Sequence, residues 1–186
     1  IMAQIVTPYT RPQFATVRYK VMDGPVRNSQ AQGRIVARPL PKQAAASGVS
    51  HVSTMPVSSE KTISDAEILV VGGRGLQKEA DLEMVKALAS LLGGDWAVSR
   101  PLVEKGWATN ARQIGLSGRT VRPRLIITCG VSGAIQFTAC MNAAEHIVAI
   151  NSDPNAPIFE VAHVGLVGDL YDIVPQLIRT LKERCA

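Results

Sequence analysis

Four short apolar runs, each ending in glycines or small polar residues, set the tightest limit on how this chain can fold. Residues 68–71 run into Gly72-Gly73-Arg74-Gly75, residues 96–98 into Ser99-Arg100, residues 125–128 into Gly130-Val131-Ser132-Gly133, and residues 147–150 into Asn151-Ser152-Asp153. Runs this short and this continuously apolar fit strands buried on both faces, which is the habit of parallel sheets. Parallel strands need crossovers, and helical spacing lies between the runs. Leu82, Val85, Leu88, Ala89 and Leu92 mark one helix over 79–92, stopped by Gly93-Gly94. A short helix is expected over 134–141. A C-terminal helical stripe carries Leu170, Ile173, Val174, Leu177, Ile178 and Leu181, with Pro175 read as the first residue of the main helix after one preceding turn. The expected fold class is α/β, a parallel sheet flanked by helices.

The first part of the chain has a different texture. β-prone runs at 3–6, 15–21 and 34–40 are broken by proline and polar clusters, and 43–64 is an Ala/Ser/Thr-rich linker. These runs lack a covering helix and enough apolar residues for a core, so they read as part of a domain whose other elements lie outside this chain. The net charge of +5 is unevenly placed: residues 1–42 hold seven Lys or Arg and one acid, while 43–186 hold thirteen basic and fourteen acidic residues. The α/β part is therefore nearly neutral and has few aromatic stacking platforms, which argues against a nucleic-acid partner. No apolar run is long enough to span a bilayer and no secretory leader is evident, so a cytoplasmic or organelle-matrix location is expected. Cys129, Cys140 and Cys185 form neither a disulfide framework nor a zinc spacing.

Groups for acid–base or nucleophilic chemistry are sparse. His51, His146 and His163 have no ligand-like partners in sequence, and there is no Gly-x-Ser-x-Gly elbow. Instead, glycines, hydroxyls and two arginines gather at the carboxyl ends of the expected strands, the edge where open α/β sheets bind ligands. Glycines let a backbone approach a phosphate, and guanidinium groups complement one. This pattern suggests a dinucleotide without naming it, because Gly73-x-Gly75 lacks the third glycine of the usual motif. The segment 112–121 has no helical stripe and reads as a surface hairpin.

The ordered set Val71-Gly72-Gly73-Arg74-Gly75-Leu76, Ser99-Arg100, Gln113-Ile114-Gly115-x-Ser117-Gly118, Gly130-Val131-Ser132-Gly133-Ala134-Ile135-Gln136 and Ile150-Asn151-x-Asp153-Pro154 resembles the alpha subunit of electron-transfer flavoproteins. Gly168-Asp169-Leu170 and Val174-Pro175 continue the match, and Arg11-Pro12-Gln13-x-Ala15-Thr16-Val17-Arg18 resembles the end of that family's first domain. The resemblance implies a Rossmann-like (DHS-like) FAD-binding domain over 56–186 and a remnant of the first domain plus linker over 1–55. It implies FAD as cofactor and an electron-transfer flavoprotein beta subunit as partner. Electrons would pass between acyl-CoA or other flavin dehydrogenases and a quinone oxidoreductase, as in fatty-acid β-oxidation, or within an electron-bifurcating complex. The setting would be bacterial cytoplasm or mitochondrial matrix.

The same resemblance implies residue roles. Arg74, Ser99 and Ser132 would lie near the pyrophosphate and ribityl chain, and Arg100 beside the isoalloxazine ring. Gln113, Ile114, Gly115, Ser117 and Gly118 would frame the flavin, with Gly133 and Gln136 approaching it. Asn151, Asp169 and Leu170 would hold the adenosine end. Asp169 also suits a helix N-cap. A guanidinium near the ring favours the form that has gained negative charge and so raises the potential. Ser117 stands where relatives commonly have Thr, and Phe137 where many have His. Loss of that ring N–H implies a lower first-electron potential than in His-bearing relatives. The competing reading, an NAD-dependent enzyme of similar fold, needs an acid–base residue at a hydride site, and the sequence offers none.

Overall fold

A computed structural model describes residues 6–16, 24, 26–39, 48, 51–55 and 62–185. The chain separates into two units, Ile1–Ser59 and Glu60–Ala186. The described residues of the first unit contain no strand or helix; the run expected at 34–40 is unpaired over 34–39. It has too little apolar surface to bury, and Ile35 is fully solvent-facing. The runs expected at 3–6 and 15–21 lie mostly outside the described residues.

The second unit is a six-stranded sheet. Its elements follow in the order β1 (Ile68–Gly72), α1 (Leu82–Leu91), β2 (Asp95–Ser99), α2 (Arg100–Glu104), β3 (Gln113–Ile114), β4 (Leu125–Cys129), α3 (Ile135–Thr138), β5 (His146–Asn151), α4 (Ile158–Val161), β6 (Val164–Val167) and α5 (Leu170–Cys185). The spatial order is β3-β2-β1-β4-β5-β6, and every adjacent pair is parallel. Val70 sits at the centre, in register with Trp96 on one side and Ile127 on the other. Side chains alternate across the pleat, so Val70, Val98 and Ile127 pack under α1, α2 and α5, while Leu69, Val71, Ala97 and Ile126 pack under α3 and α4. Burial on both faces is why these strands read as unbroken apolar runs.

Three sequence expectations change. The segment 112–121 is not a hairpin: Gln113–Ile114 forms the edge strand β3, parallel to β2, with Val98 opposite Gln113 and Ser99 opposite Ile114. Two residues are too few to show a periodicity, although both are buried. The strand β6 was not anticipated; it pairs with β5 on one side, and Val164 and Val167 are exposed. The C-terminal helix is continuous from Leu170, with Pro175 inside it. Near a helix start, proline forfeits a single backbone bond, here the one to the Tyr171 carbonyl.

Candidate functional site

Strand order reverses between β1 and β4: the chain goes outward to β2 and β3, then returns to the other side of β1. The crevice outside the carboxyl ends of these two strands is where a doubly wound sheet takes a ligand. Its floor is backbone. Gly73 N–H donates to the Cys129 carbonyl and Gly75 N–H to the Gly130 carbonyl, both at 2.9 Å. A Cβ on Gly73 would stand 2.3 Å from the Gly130 carbonyl oxygen, and one on Gly75 would stand 2.8 Å from the Gly130 Cα. Gly133 has φ +90°, and a Cβ there would lie 2.2 Å from the Ile158 nitrogen. Glycine is therefore required by contact at the first two positions and by contact and backbone region at the third.

Two cavities open on this floor. The larger, about 660 Å³, is lined by Arg74, Ser99, Arg100, Gln113, Ile114, Gly115, Ser117, Ser132 and Gln136 among the residues singled out in the sequence. Pro101, Glu104, Leu116, Val131, Ala134 and Phe137 complete its wall. The smaller, about 380 Å³, is lined by Asn151, Asp169 and Leu170, together with Gly75, Gln77, Gly130, Asp153 and Tyr171. Arg74 and Ser132 belong to both and mark where the two adjoin. Gly118 and Gly133 line neither cavity and act through packing, Gly118 beneath the Gln113 carbonyl at 2.4 Å from a notional Cβ.

The polar side chains are held in place by local bonds. Gln113, only 3% exposed, donates from Nε2 to the Ser117 Oγ at 2.9 Å. That hydroxyl is thus an acceptor on its Gln113 side and retains its own proton for a ligand. Asn151 donates from Nδ2 to the Val131 carbonyl at 2.8 Å and accepts from the Asp153 N–H at 3.0 Å. Asp169 accepts the Tyr171 N–H at 2.8 Å and so caps α5 while facing the smaller cavity. Arg74 is exposed and forms no ion pair or side-chain hydrogen bond with any described residue. The Cys129 thiol, wholly buried at the end of β4, has its pKa pushed up to about 12 by burial, which removes it as a nucleophile. Among the described residues no three His, Cys, Asp or Glu side chains gather as a metal site.

A second layer was not legible beforehand. The Tyr171 hydroxyl donates to Asp81 Oδ2 at 2.5 Å and accepts the Gln77 N–H at 2.9 Å. Asp81 also receives the N–H groups of Gln77 and Lys78. This latch ties the far end of the Arg74 loop to the start of α5. Partial burial alone would raise the Asp81 pKa, but its bonds from Tyr171, Lys78 and Gln77 outweigh that and hold it below the ordinary carboxylate range. Its contribution to stability is therefore in place above the unfolded carboxylate value and is lost as pH falls through the lower folded one. Burial first, then the bond to Asp81, raises the Tyr171 phenol, whose contribution is in place at neutral pH and is lost as pH rises through that raised value. Tyr171→Phe is expected to cost about 1 kcal/mol at neutral pH. Its acid denaturation should begin at higher pH than in the wild type, as chemical denaturation across a pH series would show.

The geometry fits a dinucleotide with one flat apolar end. The larger cavity offers Ile114, Leu116, Val131 and Phe137; the smaller offers amide, carboxylate and phenol groups; a cation stands at the junction. Residues 62–142 match the family model for the electron transfer flavoprotein FAD-binding domain. The chain resembles the electron-transfer flavoprotein alpha family. It is 47% identical to the lactate dehydrogenase (NAD(+),ferredoxin) subunit LctC of Acetobacterium woodii, across 98% of this chain and 44% of that protein. It is 42% identical to protein FixB of Azorhizobium caulinodans, across 99% of this chain and 50% of the relative. It is 41% identical to the electron transfer flavoprotein subunit alpha of Thermoanaerobacterium thermosaccharolyticum, across 98% of this chain and 56% of the relative. The chain spans about half the length of the curated relatives it matches. The family's FAD-binding match runs from just before β1 through α3 and so takes in every lining residue of the larger cavity; Asn151 and Asp169 lie beyond it. Among the described residues no helix is long and apolar enough to cross a membrane.

Proposed function

We propose that this chain is the FAD-holding part of an electron-transfer flavoprotein alpha subunit and works as an electron carrier rather than as an enzyme. The observation that carries the reading is the pair of adjoining cavities at the strand-order reversal, with Arg74 and Ser132 shared between them. When bound, FAD supplies the capacity to take up and release electrons. Everything else asked of the protein is binding and electrostatics. Arg74 and Ser132 would face the pyrophosphate, with Ser99 near the ribityl chain. Arg100, Gln113, Ser117, Gln136 and the apolar wall would hold the ring, and Asn151, Asp169 and Leu170 the adenosine.

The natural partner in this reading is a beta subunit, with flavin dehydrogenases and a quinone oxidoreductase as the sources and sinks of electrons. Likeness to a subunit of a lactate dehydrogenase (NAD(+),ferredoxin) favours a place within a larger redox complex over service to fatty-acid β-oxidation. Leu116, 67% exposed in the wall of the larger cavity, and Ile135, 77% exposed between the lining residues Ala134 and Gln136, give that complex an apolar edge to cover.

The deciding experiment is a visible absorption spectrum of the purified chain after incubation with FAD and desalting, with FMN and NAD as controls. A retained flavin band specific to FAD is expected. Failure to retain FAD both alone and with the beta subunit would overturn the reading.

A further inference from the structure

The larger cavity contains two arginines, Arg74 and Arg100, and one acid, Glu104. We infer that Glu104 is a positioning residue that holds the potential of the flavin site down, by fixing Arg100 and cancelling its charge. The inference rests on the FAD reading above and deepens it.

Helix α2 places the two side chains one turn apart on the same face, and both reach the cavity wall. Arg100 donates from Nε to Glu104 Oε1 at 2.8 Å. Both side chains are more than half exposed, at 67% and 59%, so the pair adds little to folding. The buried anchor of α2 is Leu102, which owes nothing to either charge. The geometry instead shapes the guanidinium. With Nε engaged by the carboxylate, the terminal nitrogens remain to face a ligand, and the planar group cannot swing freely. Glu104 also halves the net charge of the lining, from two positive charges to one. Once a ligand fills the cavity and displaces water, that difference acts through a lower dielectric than it does in solution. A bound group that becomes more negative on reduction is then less favoured than it would be beside two uncompensated arginines.

The test is a reductive titration of the FAD-loaded chain against a reference dye, comparing wild type with Glu104→Gln. The amide keeps an acceptor for the Arg100 Nε–H and nearly the same volume but removes the charge. A positive shift in midpoint potential is expected, with FAD retained. Glu104→Asp, which keeps the charge, should stay near the wild-type value. Glu83→Gln removes the same charge from α1, where Glu83 pairs with Lys86, and should leave the potential unmoved. An unchanged or more negative potential in Glu104→Gln, an equal shift in Glu83→Gln, or loss of FAD confined to Glu104→Gln each overturns the inference while leaving the FAD reading intact. If wild type and all three variants fail to retain FAD, with and without the beta subunit, the FAD reading falls and takes this inference with it.

Discussion

Gly73→Ala is expected to destabilise the FAD-binding unit by about 3 kcal/mol, roughly 10 °C in melting temperature for a domain of this size, and to abolish FAD retention. The new methyl group would stand 2.3 Å from the Gly130 carbonyl oxygen and 2.6 Å from the Val131 nitrogen. Those atoms are backbone, fixed in turn by the Gly73 and Gly75 hydrogen bonds to the β4 loop, so no rotamer change relieves the clash. The loops after β1 and β4 must part, and the crevice between them is the proposed pyrophosphate site. Calorimetry and the desalting assay would read the two effects separately. A variant that melts with wild type would mean the two loops are not held together as described.

Arg74→Ala is expected to weaken FAD binding roughly 30-fold, the equivalent of about 2 kcal/mol for a lost charge-assisted contact with phosphate. Its melting temperature without FAD should match wild type, because Arg74 is exposed and has no ion pair or side-chain bond among the described residues. The two substitutions thus separate shape from charge: one damages the fold and the site together, the other the site alone. Fluorescence titration with FAD at two salt concentrations would check it, the wild type losing more affinity with added salt than the variant. Unchanged affinity in Arg74→Ala would remove the cation from the proposed role at the junction.

The sheet was legible where burial is two-sided. β1, β2, β4 and β5 lie inside the sheet and are apolar on both faces, so their sequences announce them. The edges did not announce themselves. β3 is two residues long, and its first, Gln113, is polar although buried, because its amide serves Ser117 rather than water. β6 carries a glycine, and a Cβ at Gly165 would press on the Phe159 ring at 2.8 Å, a contact no local pattern reveals. The candidate site was legible to the extent that it is built from strand ends, where glycine, serine and arginine follow apolar runs directly. Tyr171 and Asp81 lie 90 residues apart and meet only through the fold. Glu104 sits on a helix too short to show a face. Neither its pairing with Arg100 nor its place in the cavity wall was visible.

The floor and the rim of the crevice face different evolutionary prospects. At Gly73, Gly75 and Gly130 any side chain collides with backbone or with a packed Leu170, so the neighbourhood of acceptable mutations is nearly closed. Around the rim, exposed residues such as Glu104, Leu116 and Ser117 can each be exchanged without pressing on the main chain beneath them. On the proposed reading, affinity for the cofactor and the energy level of its electrons are encoded in separate letters. A lineage with this floor can retune its redox chemistry by single steps, passing through forms that still bind, and need not rediscover the site each time.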